Sequence, residues 1–181
     1  MNASQLINQT SNNAEWYTPW NIIECAKELM GRIDLDPFSC FRANNRPEGK
    51  IATHYYDDSC SPLDKVWLGN VWMNHPFGRD YNEDCIGKIV FEATRRDRQM
   101  EWGLCITFAS TSEKWFAPLL RYPQFYFTGR INYLDSKTMQ PVKGVTKGSV
   151  VTCFPPPGES YEYGKSALNH AFGGTFKGVA K

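Results

Sequence analysis

The chain has 181 residues, enough for one hydrophobic core and cramped for two. Hydrophobic residues make up 41% and charged residues 22%, which excludes a disordered chain. The net charge of +1 excludes recognition of nucleic acid by whole-molecule attraction, so any such binding must come from a local patch of Lys and Arg.

Residues 1–14 are rich in Asn, Gln and Ser and read as a flexible lead-in to a single domain over 15–181. Met1 to Ser11 lacks the apolar stretch of a signal peptide, so the scattered Cys25, Cys40, Cys60, Cys85, Cys105 and Cys153 read as reduced thiols of a cytosolic protein. Cys40, His54 and Cys60 match no standard zinc spacing, and no metal site is expected. No apolar run approaches the ~20 residues of a membrane span.

Ile22, Ile23, Ala26, Leu29 and Met30 recur at three- and four-residue spacing and predict a helix. Thr18 suits its N-cap, Pro19 its first position and Gly31 its stop. Ile33 to Pro37 predicts a short strand carrying an acid near its end, and 38–64 a long excursion with a helical turn near Phe41 to Asn45. Val66 to Met73 predicts a buried strand that runs into Asn74. Tyr81 to Gln99 reads as a helix with Ile86, Ile89, Val90 and Ala93 inward; Arg95, Arg96 and Arg98 at its end suit the helix dipole as well as they suit DNA. Leu104 to Phe108 predicts another buried strand, and Ser112 a cap for a helix that turns Trp115, Phe116, Leu119 and Leu120 to one side. Gln124 to Thr128 and Arg130 to Leu134 predict strands around a turn at Gly129; Asp135 to Gly148 reads as a polar loop. Ser149 to Phe154 predicts a last strand, stopped by Pro155 to Pro157.

Strands alternating with helices predict an α/β fold with a mostly parallel, Rossmann-like sheet, an antiparallel edge and helices on both faces. Ligands of such sheets bind beyond the carboxyl ends of the strands, which directs attention to Asp36 and Asn74.

Asn74-His75-Pro76-Phe77 carries a specific chemistry. An exocyclic base amine is a poor nucleophile because its lone pair is delocalised into the ring. Two acceptors aimed at its protons, the Asn74 side-chain oxygen and the His75 carbonyl, draw the nitrogen towards tetrahedral geometry and free the lone pair. Pro76 stiffens the turn, Phe77 offers a face on which an extruded base can stack, and Gly78 permits close approach.

This segment resembles the Asp/Asn-Pro-Pro-Tyr/Phe motif of amino-methyltransferases. The chain is similar, more specifically, to the compact phage and prophage family of DNA N6-adenine methyltransferases. The resemblance runs in order through Glu15-Trp16-Tyr17-Thr18-Pro19, Ile33-Asp34-Leu35-Asp36-Pro37, Ala43-Asn44, Tyr56-Asp57-Asp58, Val71-Trp72-Met73-Asn74, Pro76-Phe77-Gly78 and Gly129-Arg130-Ile131. It implies methylation of adenine N6 in DNA with S-adenosylmethionine as donor. Cytosine N4 methylation by the same chemistry is the nearest alternative, although Asn74 favours adenine, and a catalytically silent DNA- or cofactor-binding phage protein is another. His75 departs from the usual proline. It keeps the backbone carbonyl, reduces stiffness and adds an imidazole that fills space, bonds nearby, alters the target base, weakens turnover or takes the departing proton.

For the cofactor, a carboxylate such as Asp36 would pair with the methionine ammonium, with Pro37, Phe38 and Ser39 following it. The helix opening at Thr18-Pro19 presents free N–H groups suited to the methionine carboxylate. Asp57 suits the ribose hydroxyls or adenine amine, and Tyr17 or Phe38 could stack on the adenine. Each also has a plain reading as helix start, turn or solvated loop. The Gly-x-Gly-x-x-Gly loop of dinucleotide enzymes is absent. DNA phosphates would meet Arg79 beside the motif and Lys137, Lys143 and Lys147 in the polar loop. Oligomeric state is not legible from the residues, nor is the role of 160–181.

Overall fold

The computed structural model describes residues 15–57, 59–78, 81–143 and 145–174. Its elements run β1 (Trp16–Tyr17), α1 (Trp20–Met30), β2 (Leu35–Asp36), α2 (Phe41–Asn44), β3 (Asn45–Arg46), β4 (Gly49–Lys50) and β5 (His54–Tyr55). Then follow β6 (Gly69–Met73), α3 (Asn82–Thr94), β7 (Met100–Phe108), β8 (Gln124–Tyr126), β9 (Leu134–Asp135), β10 (Ser149–Phe154) and α4 (Tyr161–Gly173). Short 3-10 stretches cover Pro62–Asp64 and Lys114–Arg121.

Six strands form the main sheet in the order β5-β2-β6-β7-β10-β8. The pairings from β5 to β7 are parallel, and β10 runs antiparallel to both β7 and β8, which gives the expected antiparallel edge. Period-two alternation divides the side chains between two cores. Trp72, Leu104, Ile106, Val151 and Cys153 face α1 and α4, meeting Ile22, Ile23, Ala26, Leu168 and Phe172. Val71, Met73, Cys105, Val150 and Phe154 face α3 and the 3-10 stretch, meeting Cys85, Ile86, Ile89, Phe116 and Leu119. The result is a mixed α/β molecule with helical elements on both faces of one sheet. Among the described residues no helix is long and apolar enough to cross a membrane.

The chain order places the site. From β2 the chain moves outward to β5, then returns to pair β6 on the other flank of β2. This reversal opens a crevice at the carboxyl ends of β2 and β6, where Asp36 and Asn74 lie.

Several local expectations are corrected. Thr18 does not cap α1: Pro19 holds the N-cap position without a side-chain bond, and among the described residues the buried Thr18 hydroxyl has no partner. Gly31, with φ of 76°, ends the helix, as only glycine does readily. The helix expected to reach Gln99 stops at Thr94, where Arg95 turns extended. Ser112 caps nothing, and the following segment is 3-10 with Glu113 at its N-cap, because Pro118 lacks the N–H that an α-helix needs there. Residues 127–133 are not strand, since Phe127, Ile131 and Tyr133 bury their rings and methyls in the core without a ladder. Leu134–Asp135 pairs instead with Trp16–Tyr17.

The basic end of α3 is largely structural. Arg98 donates to the carbonyls of Ala93, Met100, Glu101 and Pro155, tying the helix end to β7 and the end of β10. Arg95 pairs with buried Glu92 and with Asp97, while Arg96 is exposed. Arg98→Ala is therefore expected to lower unfolding stability by about 2–3 kcal/mol in urea denaturation, and Arg96→Ala by less than about 0.5 kcal/mol.

Candidate active site

A cavity of about 470 Å³ lies at the carboxyl ends of β5, β2 and β6. Tyr17, Thr18, Asp36, Pro37, Phe38, Ser39 and Asp57 line it, together with Asn74, His75 and Pro76. Asp36 ends β2, Asn74 follows β6, and Asp57 lies just past β5, so three adjacent parallel strands each deliver one polar group. Pro19 and Phe77 are not among the wall residues. Pro19 instead uses its carbonyl to accept the N–H groups of Ile22 and Ile23.

The orientation of Asn74 follows from a single bond. Its Nδ2 donates to the Trp16 carbonyl at 2.7 Å. A carbonyl can only accept, so the amide nitrogen must face Trp16 and Oδ1 must face the other way. That oxygen is buried and has no hydrogen-bond partner among the described residues. Trp16 is held in turn by the β1–β9 pairing, in which Trp16 lies opposite Asp135 and Tyr17 opposite Leu134.

His75 is 1% exposed. Its Nε2 lies 2.9 Å from Asn82 Oδ1, which accepts, so the proton sits on Nε2 and Nδ1 keeps a bare lone pair, without a partner among the described residues. Burial pushes the imidazole pKa down to about 4 against the opposing pull of Asn82, and the ring is neutral at physiological pH. Phe38 and Phe77 meet it edge-on at 6.2 and 5.7 Å between centroids. Pro76 accepts the Gly78 N–H at 2.9 Å, closing a tight turn. Phe77 is partly buried, with Phe108 tilted against it at 4.5 Å and Tyr133 edge-on at 5.6 Å.

At the other end, Asp36 is buried and accepts the Phe38 N–H at 3.3 Å. Burial raises its pKa to about 7, outweighing the Phe38 N–H, the Ser39 hydroxyl and the charge of Arg46. The Tyr17 hydroxyl contacts Cys40 Sγ at 3.3 Å, and burial holds the phenol protonated. Asp57 is exposed and turned back on its own loop, accepting from the Ser59 N–H and hydroxyl, which lowers its pKa.

Sequence reasoning missed Arg46, Tyr56 and Tyr81, which also line the cavity. Arg46 was hidden in an aperiodic stretch; its β-ribbon (Asn45–Arg46 with Gly49–Lys50) shows no hydrophobic alternation. Of the expected DNA cations, Arg79 lies outside the described residues. Lys137 and Lys143 are exposed, with Lys137 in a turn that Asp135 holds by accepting the backbone N–H groups of 137 and 138. Lys147 lies 5.6 Å over the Phe108 ring, which packs on Phe77. Among the described residues no group of three or more His, Cys, Asp or Glu could hold a metal ion, and all six cysteines are free.

No curated protein and no solved structure matches the chain. A family model described as DNA N-6-adenine-methyltransferase (Dam) matches residues 5–169, a span that takes in the whole cavity. The chain therefore belongs to the DNA N-6-adenine-methyltransferase (Dam) family, enzymes that methylate adenine N6 in DNA using S-adenosylmethionine.

Proposed function

We propose that S-adenosylmethionine occupies the cavity between β2 and β6 and that Asn74 receives the amine of an extruded adenine. The observation that carries this is the unpartnered, buried Asn74 Oδ1, whose direction the Trp16 carbonyl dictates. A buried acceptor without a donor costs about 1–3 kcal/mol, which an incoming N–H recovers. The cavity volume falls within the ~300–1,000 Å³ range of small-molecule sites. Among the described residues buried Asp36 makes no salt bridge, and it suits the ammonium of the donor's amino-acid end. The Thr18 hydroxyl, likewise buried without a partner, is a further polar group for it. Tyr17 or Phe38 suits its adenine, Asp57 its ribose, and Pro37 and Ser39 the wall between. When bound, S-adenosylmethionine supplies an electrophilic methyl group.

Asn74 Oδ1 and the His75 carbonyl then accept the two amine protons, with Pro76 stiffening their turn and Phe77, backed by Phe108 and Tyr133, bearing the base. His75 is neutral and braced by Asn82, so its imidazole restores some of the rigidity that a proline would have given. Lys147 beside Phe108, with Lys137, Lys143 and Arg79, supplies cations for the flanking phosphates. A base in a duplex is out of reach of such a cavity and must be flipped out or already single-stranded. We further read the sheet as Rossmann-like, residues 15–181 as one methyltransferase domain, and the setting as the cytoplasm, that of the host for a phage-encoded chain.

Two outcomes test this reading. Wild-type chain incubated with DNA and labelled donor should yield N6-methyladenine by nucleoside mass spectrometry. Asn74→Ala should lower the rate at least about 100-fold, while S-adenosylhomocysteine affinity by calorimetry stays within about twofold; loss of both would contradict the assigned role. The second is a pH dependence. Asp36 in the free chain takes a proton as pH falls through about 7, and a cationic partner favours its ionised form. Binding below pH 7 must therefore expel that proton, and donor affinity should fall by up to about tenfold per pH unit, with proton release in calorimetry. Asp36→Asn should bind more weakly at pH 8 and lose the slope.

A further inference from the structure

Arg46 is 8% exposed and lines the same cavity as Asp36. Its Nε donates to the Ala43 carbonyl at 2.9 Å and its Nη1 to the Thr18 carbonyl at 2.6 Å. Among the described residues its Nη2 meets no acceptor, and the guanidinium lies 5.8 Å from the Tyr17 ring centroid. Arg46 and Asp36 share one cavity without forming an ion pair with each other. A guanidinium and a carboxyl group buried in one cavity, close enough for the arginine's charge to act on the acid and yet not joined, are an unusual arrangement. A ligand carrying an ammonium and a carboxylate on one carbon resolves it, because the ammonium favours ionised Asp36 and the carboxylate meets Arg46. An anion alone, such as a DNA phosphate, would satisfy Arg46 and be repelled by Asp36. The amino terminus of α1 does not compete for the anion, since neither Pro19 nor the first helical residues line the cavity.

Building on the cofactor reading above, we infer that Arg46 binds the α-carboxylate of the methyl donor through Nη2, forming with Asp36 a clamp for an α-amino acid group. The Nε and Nη1 bonds fix the guanidinium plane, and the remaining edge is presented to the ligand. Arginine suits this task because its planar fork keeps two donors in place while a third binds.

The test compares ligands that differ at the amino-acid end, by calorimetry on the full chain, with S-adenosylmethionine as the sulfonium reference for its decarboxylated form. S-adenosylhomocysteine carries the whole zwitterion, decarboxylated S-adenosylmethionine lacks the carboxylate, and methylthioadenosine lacks the amino-acid group altogether. Arg46→Met should weaken S-adenosylhomocysteine about 10- to 100-fold, leave methylthioadenosine within about twofold, and leave decarboxylated S-adenosylmethionine unchanged. Arg46→Lys should recover part of the loss. Wild-type chain should already bind the decarboxylated compound poorly, an arm that requires no variant to fold. Equal weakening of all three ligands by Arg46→Met would make Arg46 a structural tie between Thr18 and Ala43 and overturn the inference. So would undiminished S-adenosylhomocysteine binding. If wild-type chain binds none of the three, the cofactor reading itself falls, and this inference falls with it.

Discussion

The parallel pairing of β2 with β6 is the constraint from which the site follows. Leu35 lies opposite Val71, so the chain leaves both strands at the same edge of the sheet, with Asp36 on one side and Asn74 on the other. Because the chain goes from β2 to β5 on one flank and from β6 to β7 on the other, the connections leaving the two strands diverge and a gap opens between them. The short β1–β9 ribbon then closes over it, and one bond from Asn74 to the Trp16 carbonyl converts a strand end into an aimed acceptor. Without the ribbon the Asn74 amide could rotate, and its oxygen would have no fixed direction.

The energetics of the site point the same way. Among the described residues Asn74 Oδ1, Thr18 Oγ1 and His75 Nδ1 are buried without partners, and Asp36 and Arg46 are buried without a salt bridge. Buried polar groups are nearly always bonded in folded proteins, so a concentration of exceptions around one cavity marks a place where stability is given up for function. The surrounding rings supply the stiffness that tolerates it: Phe38 packs edge-on against Trp67, His75 and Tyr81, each with centroids about 6 Å away. The core absorbs the cost through two fully buried tryptophans, Trp67 and Trp72, one in each hydrophobic cluster.

Much of this was legible in the residues. The period of Ile22, Ile23, Ala26 and Met30 announced α1, and the apolar run before Asn74 announced β6, because both patterns are local. The order of motifs from Trp16 to Ile131 pointed to the family. What escaped was long-range. The partner of β9 lies more than a hundred residues upstream, and no local pattern in 130–135 distinguishes a strand that pairs with β1 from one that pairs with β8. Arg46 escaped for a related reason: its significance comes from Thr18, 28 positions away, and not from its neighbours. Thr18 itself looked like a helix cap because threonine before proline usually is one; here its hydroxyl is buried at the cavity wall, and the cap is lost.

The central claim is that the crevice between β2 and β6 is where donor and amine meet. The most direct measurement is an experimental structure of the chain with S-adenosylhomocysteine. The account predicts the ligand between Asp36 and Asn74, its amino-acid end against Asp36 and its sulfur towards Asn74 Oδ1. A ligand bound elsewhere, for instance in the second cavity beside Arg32, His54 and Gly69, would contradict it.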